Sequence, residues 1–255
     1  MVRVRARIDS IVEDRATADA LKPWFSLFCK RPCFHDDYLQ SFNRPNVRLV
    51  DTKGKGVERI TETSLFVDGI EYPTDCLIFA TGFETSTDFS KRSGFQVIGV
   101  GGKALHDKWA DGMISLHGLH SRGFPNCFVI SHSQSGMSVN FPHMLDEQSK
   151  HLAYMIAECA KRGIATIEAT ADAEHQWVDT VLGMSGARRK FLEQCTPGFY
   201  NNEGRASAVA DRNAPYGAGP IAFIELLREW READDFAGLE LNGGHARGQE
   251  EIENA

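Results

Sequence analysis

Residues 124–156 read FPNCFVISHSQSGMSVNFPHMLDEQSKHLAYMI, and this stretch decides the fold. Residues 126–131 form a mainly apolar run, which is typical of a strand buried on both faces of a parallel sheet. A polar loop follows, and then apolar residues recur at helical spacing, with Pro142 suited to the first turn and Gly163 to the end of the helix. Strand, loop and helix in this order make half of a βαβ unit, so the pattern predicts an α/β fold.

A second apolar run, DCLIFATG at residues 75–82, predicts another strand of the same sheet. Before it, VRLVD at 47–51 and ERITETSLFVDGIEY at 58–72 favour short strands. Asp68 and Gly69 both tolerate positive φ, which suits a two-residue hairpin turn. This part of the chain is predicted to be a small antiparallel meander.

Helices are predicted on both sides of these strands. Residues 15–21 favour a short helix that ends before Pro23, while 171–183 and 220–233 have amphipathic patterns. Residues 217–222, GAGPIA, match the spacing of a dinucleotide fingerprint, but no buried strand precedes them. We therefore interpret this motif as the start of a helix.

The composition is that of a globular protein, with 255 residues, 42% of them hydrophobic and a formal net charge of −7. Because affinity for phosphates depends on clustered positive charge, nucleic acid is a poor candidate partner. No apolar run approaches the roughly 20 residues that cross a bilayer, and the first residues lack the apolar core of a secretory signal. We expect no membrane insertion and a cytoplasmic location.

Two pairs of residues have the spacing of metal ligands. Cys29 and Cys33 are four apart, and His117 and His120 are three apart, but neither pair has a second pair beside it. No metal site is predicted.

Polar, glycine-containing turns follow both predicted buried strands. Residues 131–140 lead into the N-terminus of the long helix, where open α/β sheets bind ligands and unpaired backbone N–H groups favour negative charge. Residues 80–83, ATGF, follow the other strand. From the residues alone, an ordinary turn and a ligand-binding turn are equally good interpretations.

Four blocks of the sequence carry a family resemblance. CKRPCFHDDYLQSFNRPNVRLVDT (29–52), DCLIFATGFE (75–84) and residues 124–156 resemble consecutive blocks of the flavin-dependent Baeyer–Villiger monooxygenases. CTPGFYNNEG (195–204) resembles a substrate-side segment of one branch of that family. The blocks occur in order within residues 11–230.

The resemblance implies the C-terminal part of a flavoprotein with two dinucleotide-binding domains. Its fold class is α/β, with an incomplete Rossmann-like parallel sheet, a small β-meander and a helical C-terminal region. Four segments are expected: the end of the NADP-binding region with a linker (1–45), the C-terminal part of the FAD-binding domain (46–165), a helical substrate-side region (166–240) and a flexible tail (241–255).

In the family, FAD reduced by NADPH activates O2, and one oxygen atom is inserted into a ketone to give an ester or lactone. The resemblance implies that Arg31 is catalytic, because a guanidinium stays charged and can stabilise the anionic, oxygen-bearing flavin. Residues matching segments beside FAD are Lys30, Thr81, Gly82, Phe83, Gln134, Ser135, Gly136 and Asn140. Residues matching the ketone pocket are Phe199, Tyr200 and Asn201.

Alternative interpretations stay open. Arg31 could instead be a surface residue paired with Asp36 or Asp37. The two GxGxxG motifs of the family and its FxGxxxHxxxW fingerprint do not occur in the sequence. We therefore expect a missing N-terminal segment or a partner chain, and an isolated chain that is inactive and binds FAD weakly or not at all. A flavin monooxygenase that oxidises nitrogen or sulfur and a catalytically inactive fragment or interaction module are the other candidate functions.

Overall fold

The computed structural model describes residues 1–82, 94–204 and 208–243. Its contacts divide into two units, one made of residues 1–85 and 198–200 and the other of residues 86–197 and 201–255. The four functional segments expected from the sequence stay a prediction.

The first unit begins with three helices: α1 (Val2–Ile11), α2 (Arg15–Leu21) and α3 (Tyr38–Ser41). The predicted helix at 15–21 is confirmed. Its N-terminus is capped by Asp14, whose carboxylate accepts a hydrogen bond from the backbone N–H of Thr17 at 2.7 Å.

The predicted meander is also confirmed. Strands β1 (Arg59–Ile60), β2 (Ser64–Val67) and β3 (Ile70–Pro73) form an antiparallel sheet in that order. Asp68 and Gly69 connect β2 to β3 with φ values of 49° and 75°. Positive φ at both positions is what a tight hairpin turn requires.

The second unit contains most of the helices. They are α4 (Leu105–Lys108), α5 (Phe141–Arg162), α6 (Ala171–Met184), α7 (Gly186–Glu193), α8 (Ala208–Arg212) and α9 (Pro220–Ala233). Strands β4 (Ile164–Ala169) and β5 (Leu239–Gly243) pair antiparallel. A short 3₁₀ turn spans Val100–Gly102, and a second one, Phe199–Gly204, begins with two residues that belong to the first unit. No helix in the described ranges is both long and apolar enough to cross a membrane.

The long helix α5 begins and ends as the sequence predicts. Asn140 caps its N-terminus, Pro142 lies in the first turn, and Gly163 ends it with a left-handed φ of 66°. Its buried face contributes to two apolar cores, one through Met144 and the other through Leu152 and Met155. The GAGPIA motif is the start of α9, with Gly219 as the N-cap.

The two apolar runs predicted as buried strands are not strands here. Residues 75–80 have no ladder partner among the described residues and are exposed, with Ile78 at 81%. In the run 126–131, only Phe128 forms an isolated bridge, to His120. The described ladders are all antiparallel, so the described residues include no parallel pairing for either run.

Two further expectations need correction. Residues 47–51 were expected to be extended in a strand but pair with no described strand. Residues 241–243 of the predicted flexible tail belong to β5, because their backbone pairs with β4. The rest of that tail, from residue 244, lies outside the described residues.

A buried ion pair holds the turn at residues 121–124 to α6. Lys108 Nζ donates to both carboxylate oxygens of Glu174 at 2.9 Å and to the backbone carbonyl of Arg122 at 2.7 Å. One oxygen of Glu174 also accepts from the backbone N–H of Arg122 at 2.7 Å. The side chains of Lys108 and Glu174 are only 12% and 4% exposed, so each compensates a charge that would otherwise be buried alone.

Replacing Lys108 with methionine is expected to lower the free energy of unfolding by about 3–5 kcal/mol, because Glu174 is left as an uncompensated buried charge. Chemical denaturation at pH 7.5 measures the loss. Lys150→Met is the matched control, because the side chains of Lys150 and of its partner Asp146 are each 57% exposed. Losing this surface ion pair should change stability little. Equal effects of the two variants would contradict the stabilising role of the buried pair.

Candidate functional site

The inner half of the 131–140 loop is part of the protein interior. The side chains of Gln134 and Ser135 are fully buried, and Gly136 is buried beside them. The sequence predicted cofactor contacts at all three positions. The side chains of Gln134 and Ser135 have no accessible surface, and their polar groups bind other parts of the chain.

Close packing explains why residue 136 is a glycine. A Cβ on this residue would lie 2.3 Å from Cε of Met144 and 3.0 Å from a ring carbon of Phe223. Any side chain would displace two core residues, so the glycine lets the loop lie directly against α5 and α9.

The outer half of the loop is accessible. Val139 is 97% exposed, Asn140 is exposed, and Phe141 is 37% exposed. The side-chain oxygen of Asn140 faces the backbone N–H of His143 at 3.4 Å, and α5 begins directly after it. A helix of 22 residues concentrates partial positive charge at this end. The loop therefore presents an apolar side chain, an amide and a helix N-terminus to an anionic or polar ligand.

The other predicted turn is exposed. Thr81 and Gly82 are exposed, and Gly82 has a φ of 90°; no atom of the described residues lies within 4 Å of a Cβ added to it. Glycine is favoured here because its backbone adopts a positive φ without strain, and not because a side chain would clash with the described residues. Phe83 lies outside the described residues.

Arg31 is exposed on the first unit. The alternative interpretation, an ion pair with Asp36 or Asp37, is not found among the described residues. The guanidinium is therefore held by neither carboxylate.

Lys30, beside Arg31, is half-buried. Its Nζ is 5.7 Å from the ring centroid of Phe25, and it would be 2.8 Å from a Cβ on Gly198. Gly198 directly precedes Phe199 and Tyr200, two of the predicted substrate residues. The structure thus brings the Lys30 ammonium to the beginning of the predicted substrate segment, a contact that no spacing in the sequence indicates.

Asn201, the third predicted substrate residue, binds its own segment. Its Nδ2 atom lies 3.1–3.4 Å from the carbonyl oxygens of Leu192, Cys195 and Thr196, and its Oδ1 accepts from the backbone N–H of Gly204 at 3.2 Å. These hydrogen bonds satisfy carbonyl groups at and just after the C-terminus of α7 and stabilise the 3₁₀ turn that contains Asn201. Tyr200 is half-buried, and only the backbone of Phe199 is described.

The sequence did not predict that three histidines, His117, His120 and His151, are buried in the core. His117 packs edge-on against Trp177, His120 against Phe128, and the ring of His151 lies 4.9 Å from that of Trp230. Burial lowers the pKa of His117 and His151 to about 3 and that of His120 to about 4. The spacing of His117 and His120 suits a pair of metal ligands, but only burial reveals their role as neutral core residues.

One group of possible metal ligands occurs within the described ranges. His143, Asp146 and Glu147 offer ligand atoms within 4.8 Å of one another, all near the start of α5. Lys150 forms ion pairs with both carboxylates at 2.8 Å. A cation would have to displace this ammonium, so the group is better explained as a surface ion-pair cluster.

Comparisons with known proteins identify relatives along nearly the whole chain. Neopentalenolactone D synthase of Streptomyces avermitilis is 52% identical over 246 residues, which are 96% of this chain and 41% of the relative. A Baeyer–Villiger monooxygenase of Streptomyces coelicolor is 47% identical over 231 residues, 90% of this chain and 38% of the relative. The chain is homologous to the Baeyer–Villiger monooxygenases. It spans about two fifths of the length of these relatives, and no protein-family model matches it.

Parts of solved monooxygenase structures have the same fold as this chain. The polycyclic ketone monooxygenase of Thermothelomyces thermophila superposes with a TM-score of 0.89 at 39% identity, covering 94% of this chain and 39% of that one. A steroid monooxygenase bound to NADP superposes with a TM-score of 0.79 at 27% identity, covering 94% and 44%. The family resemblance and the fold class predicted from the sequence are confirmed.

The buried histidines predict acid sensitivity. In the unfolded chain each ring takes up a proton near pH 6.5, whereas in the folded chain it stays neutral to about pH 3–4. Their contribution to stability is therefore complete above about pH 6.5 and is lost as the pH falls towards 4. At pH 5 the expected loss is about 2 kcal/mol for each histidine.

Urea denaturation at pH 7.5 and pH 5 measures this loss. His151→Gln should reduce the difference between the two pH values, because glutamine does not titrate. His175→Gln, at an exposed position of α6, should leave the difference unchanged. If the wild-type chain is equally stable at both pH values, the histidines are not buried in neutral form.

Proposed function

We propose that this chain is the C-terminal part of an FAD- and NADPH-dependent monooxygenase that inserts one oxygen atom of O2 into a ketone to give an ester or lactone. The observation that carries the proposal is the 52% identity to neopentalenolactone D synthase across 96% of the chain. The substrates are a small-molecule ketone and O2, and the enzyme acts in the cytoplasm.

Arg31 is the catalytic residue of this proposal. The reduced flavin, when bound, supplies the electrons that activate O2. A guanidinium remains protonated at any working pH, so Arg31 provides a permanent positive charge where negative charge develops. Its exposure and the absence of a described carboxylate partner leave that charge available. Lys30 adds a second positive charge beside it.

The described residues fit a flavin dinucleotide in two ways. The N-terminus of α5 and the amide of Asn140 suit polar or anionic groups of the cofactor, and Val139 offers an apolar surface for its ring system. Thr81 and Gly82 provide an exposed turn where backbone can approach a ligand closely. We propose that the outer half of the 131–140 loop contacts FAD and that its inner half supports it. The substrate-side role of Phe199, Tyr200 and Asn201 belongs to the same proposal.

A further polypeptide completes the enzyme in this proposal. Ile78 and Phe79 are 81% and 72% exposed in a segment that forms no ladder with other described residues. Exposed apolar patches of this kind are typical of surfaces that contact another polypeptide. The larger part of each relative lies outside the match, so an N-terminal segment or a partner chain is the natural source of the neighbouring strands and of the NADP site.

The isolated chain is expected to purify without stoichiometric FAD, because the glycine-rich turn that holds the pyrophosphate of a dinucleotide does not occur in the sequence. Visible absorbance of the purified chain, before and after incubation with FAD and gel filtration, measures this. Tight binding of one FAD per chain would contradict the need for a further polypeptide.

Arg31→Ala should lower ketone oxygenation by about two orders of magnitude, the cost of losing one strong charge-stabilising donor. The chain is co-expressed with the part of neopentalenolactone D synthase outside the match, and a panel of cyclic and polycyclic ketones is assayed with NADPH by mass spectrometry of ester products. Arg44→Ala, at another exposed position of the first unit, is the matched control and should retain full activity.

The other candidate functions give different results in this assay. Oxidation of an amine or sulfide by the complex, at a rate unaffected by Arg31→Ala, would favour the nitrogen- or sulfur-oxidising class. A complex that forms but oxidises none of the substrates would favour a catalytically inactive fragment or interaction module.

A further inference from the structure

Gln134 lies at the centre of a buried hydrogen-bond network in the 131–140 loop. It is fully buried and adopts a left-handed φ of 55°, which is uncommon for a residue with a side chain. Its backbone N–H donates to the carbonyl of Ala214 at 2.9 Å, and its backbone carbonyl accepts from Nε1 of Trp177 at 3.0 Å. The backbone of one residue thus joins the 131–140 loop to two other parts of the second unit.

The side-chain amide of Gln134 makes three more connections. Its Nε2 atom donates to the backbone carbonyls of Met113 at 2.6 Å and Arg212 at 2.9 Å. Its Oε1 atom accepts from the hydroxyl of Ser115 at 2.5 Å. Both amide hydrogens and the amide oxygen are used, which no carboxylate or hydroxyl at this position could reproduce.

A segment at residues 212–216 receives two of these contacts. Besides the bonds from Gln134 to Arg212 and Ala214, the backbone N–H of Tyr216 donates to the carbonyl of Ser135 at 2.9 Å. The ring of Tyr216 stacks on Trp177 at 5.3 Å between centroids. The inner half of the loop and the 212–216 segment are therefore bonded side by side.

The same loop is also bonded to α5. Ser135 Oγ donates to the carbonyl of Ser131, and Nε2 of Gln148 donates to that carbonyl at 2.9 Å and to Ser135 Oγ at 3.2 Å. Gly118, at a φ of 72°, brings a neighbouring turn so close that an added Cβ would lie 2.6 Å from the carbonyl oxygen of Ser133. The loop has little room to move as long as Gln134 keeps its bonds.

We propose that Gln134 is a positioning residue that couples the 131–140 loop to the 212–216 segment, so that the exposed end of the loop and the substrate-side helices keep one relative arrangement. Gln134 touches neither cofactor nor substrate in this role. It acts through Val139 and Asn140, further along the same loop. The part of the inference that concerns the flavin rests on the proposed function, whereas the coupling itself does not.

Hydrogen exchange of the full chain tests the coupling without cofactor. In Gln134→Glu the carboxylate has no N–H for the carbonyls of Met113 and Arg212, so amide exchange should accelerate at least tenfold in both the loop and the 212–216 segment. The β4–β5 ladder should keep its wild-type exchange. Gln176→Glu, the same change at an exposed position of α6, is the matched control. Acceleration in only one of the two segments, or in neither, would overturn the coupling.

Ser115→Ala covers the case in which Gln134→Glu fails to fold. It removes one hydrogen bond from Oε1 of Gln134 and leaves both donated bonds in place. We expect a smaller acceleration in the same two segments. If Ser115→Ala accelerates exchange in the loop alone, Gln134 does not couple the two segments.

Flavin binding tests the positioning role in the co-expressed complex. Gln134→Glu should raise the dissociation constant for FAD at least tenfold and change the fluorescence quenching of the FAD that remains bound, whereas Gln176→Glu should change neither. If the wild-type complex oxidises ketones but Gln134→Glu binds FAD as the wild type does, the positioning role is wrong and the proposed function stands. If the wild-type complex binds no FAD, the proposed function is wrong, and hydrogen exchange alone decides the coupling.

Discussion

The arrangement of the second unit depends on a buried glutamine amide whose donors and acceptor are all satisfied. Burying an amide without partners would cost several kcal/mol, so the position is stable only when Met113, Ser115 and Arg212 are all in place. These partners come from two separate parts of the sequence, residues 113–115 and Arg212. A single side chain therefore ties the turn before α5, the residues before α9 and the chain after α4 into one interior.

This interior divides the candidate site into a supporting part and an accessible part. The inner residues of the 131–140 loop serve packing and hydrogen bonding, and the outer residues present an amide and an apolar side chain at a helix N-terminus. Such an arrangement suits binding, because a rigid interior lowers the entropy that an exposed loop loses when a ligand orders it.

The apolar run at residues 75–80 is exposed. Residues 75–80 have the composition of a buried parallel strand but no described neighbour, and relatives of the chain are more than twice as long as the match. A parallel strand is stabilised by two neighbours and by helices on both faces of its sheet. The composition of residues 75–80 therefore suits contacts that the described residues of this chain do not supply.

The sequence by itself determined the elements that depend on local interactions. Helices α2, α5, α6 and α9, the hairpin turn at Asp68 and Gly69 and the family resemblance all follow from spacing, capping and turn residues within short stretches. The sequence could not reveal that Gln134 and Asn201 bind the chain itself, that three histidines are buried, or that Lys30 approaches Gly198. Only the tertiary structure decided these, because a polar side chain acquires its role from partners that folding brings close from far along the chain.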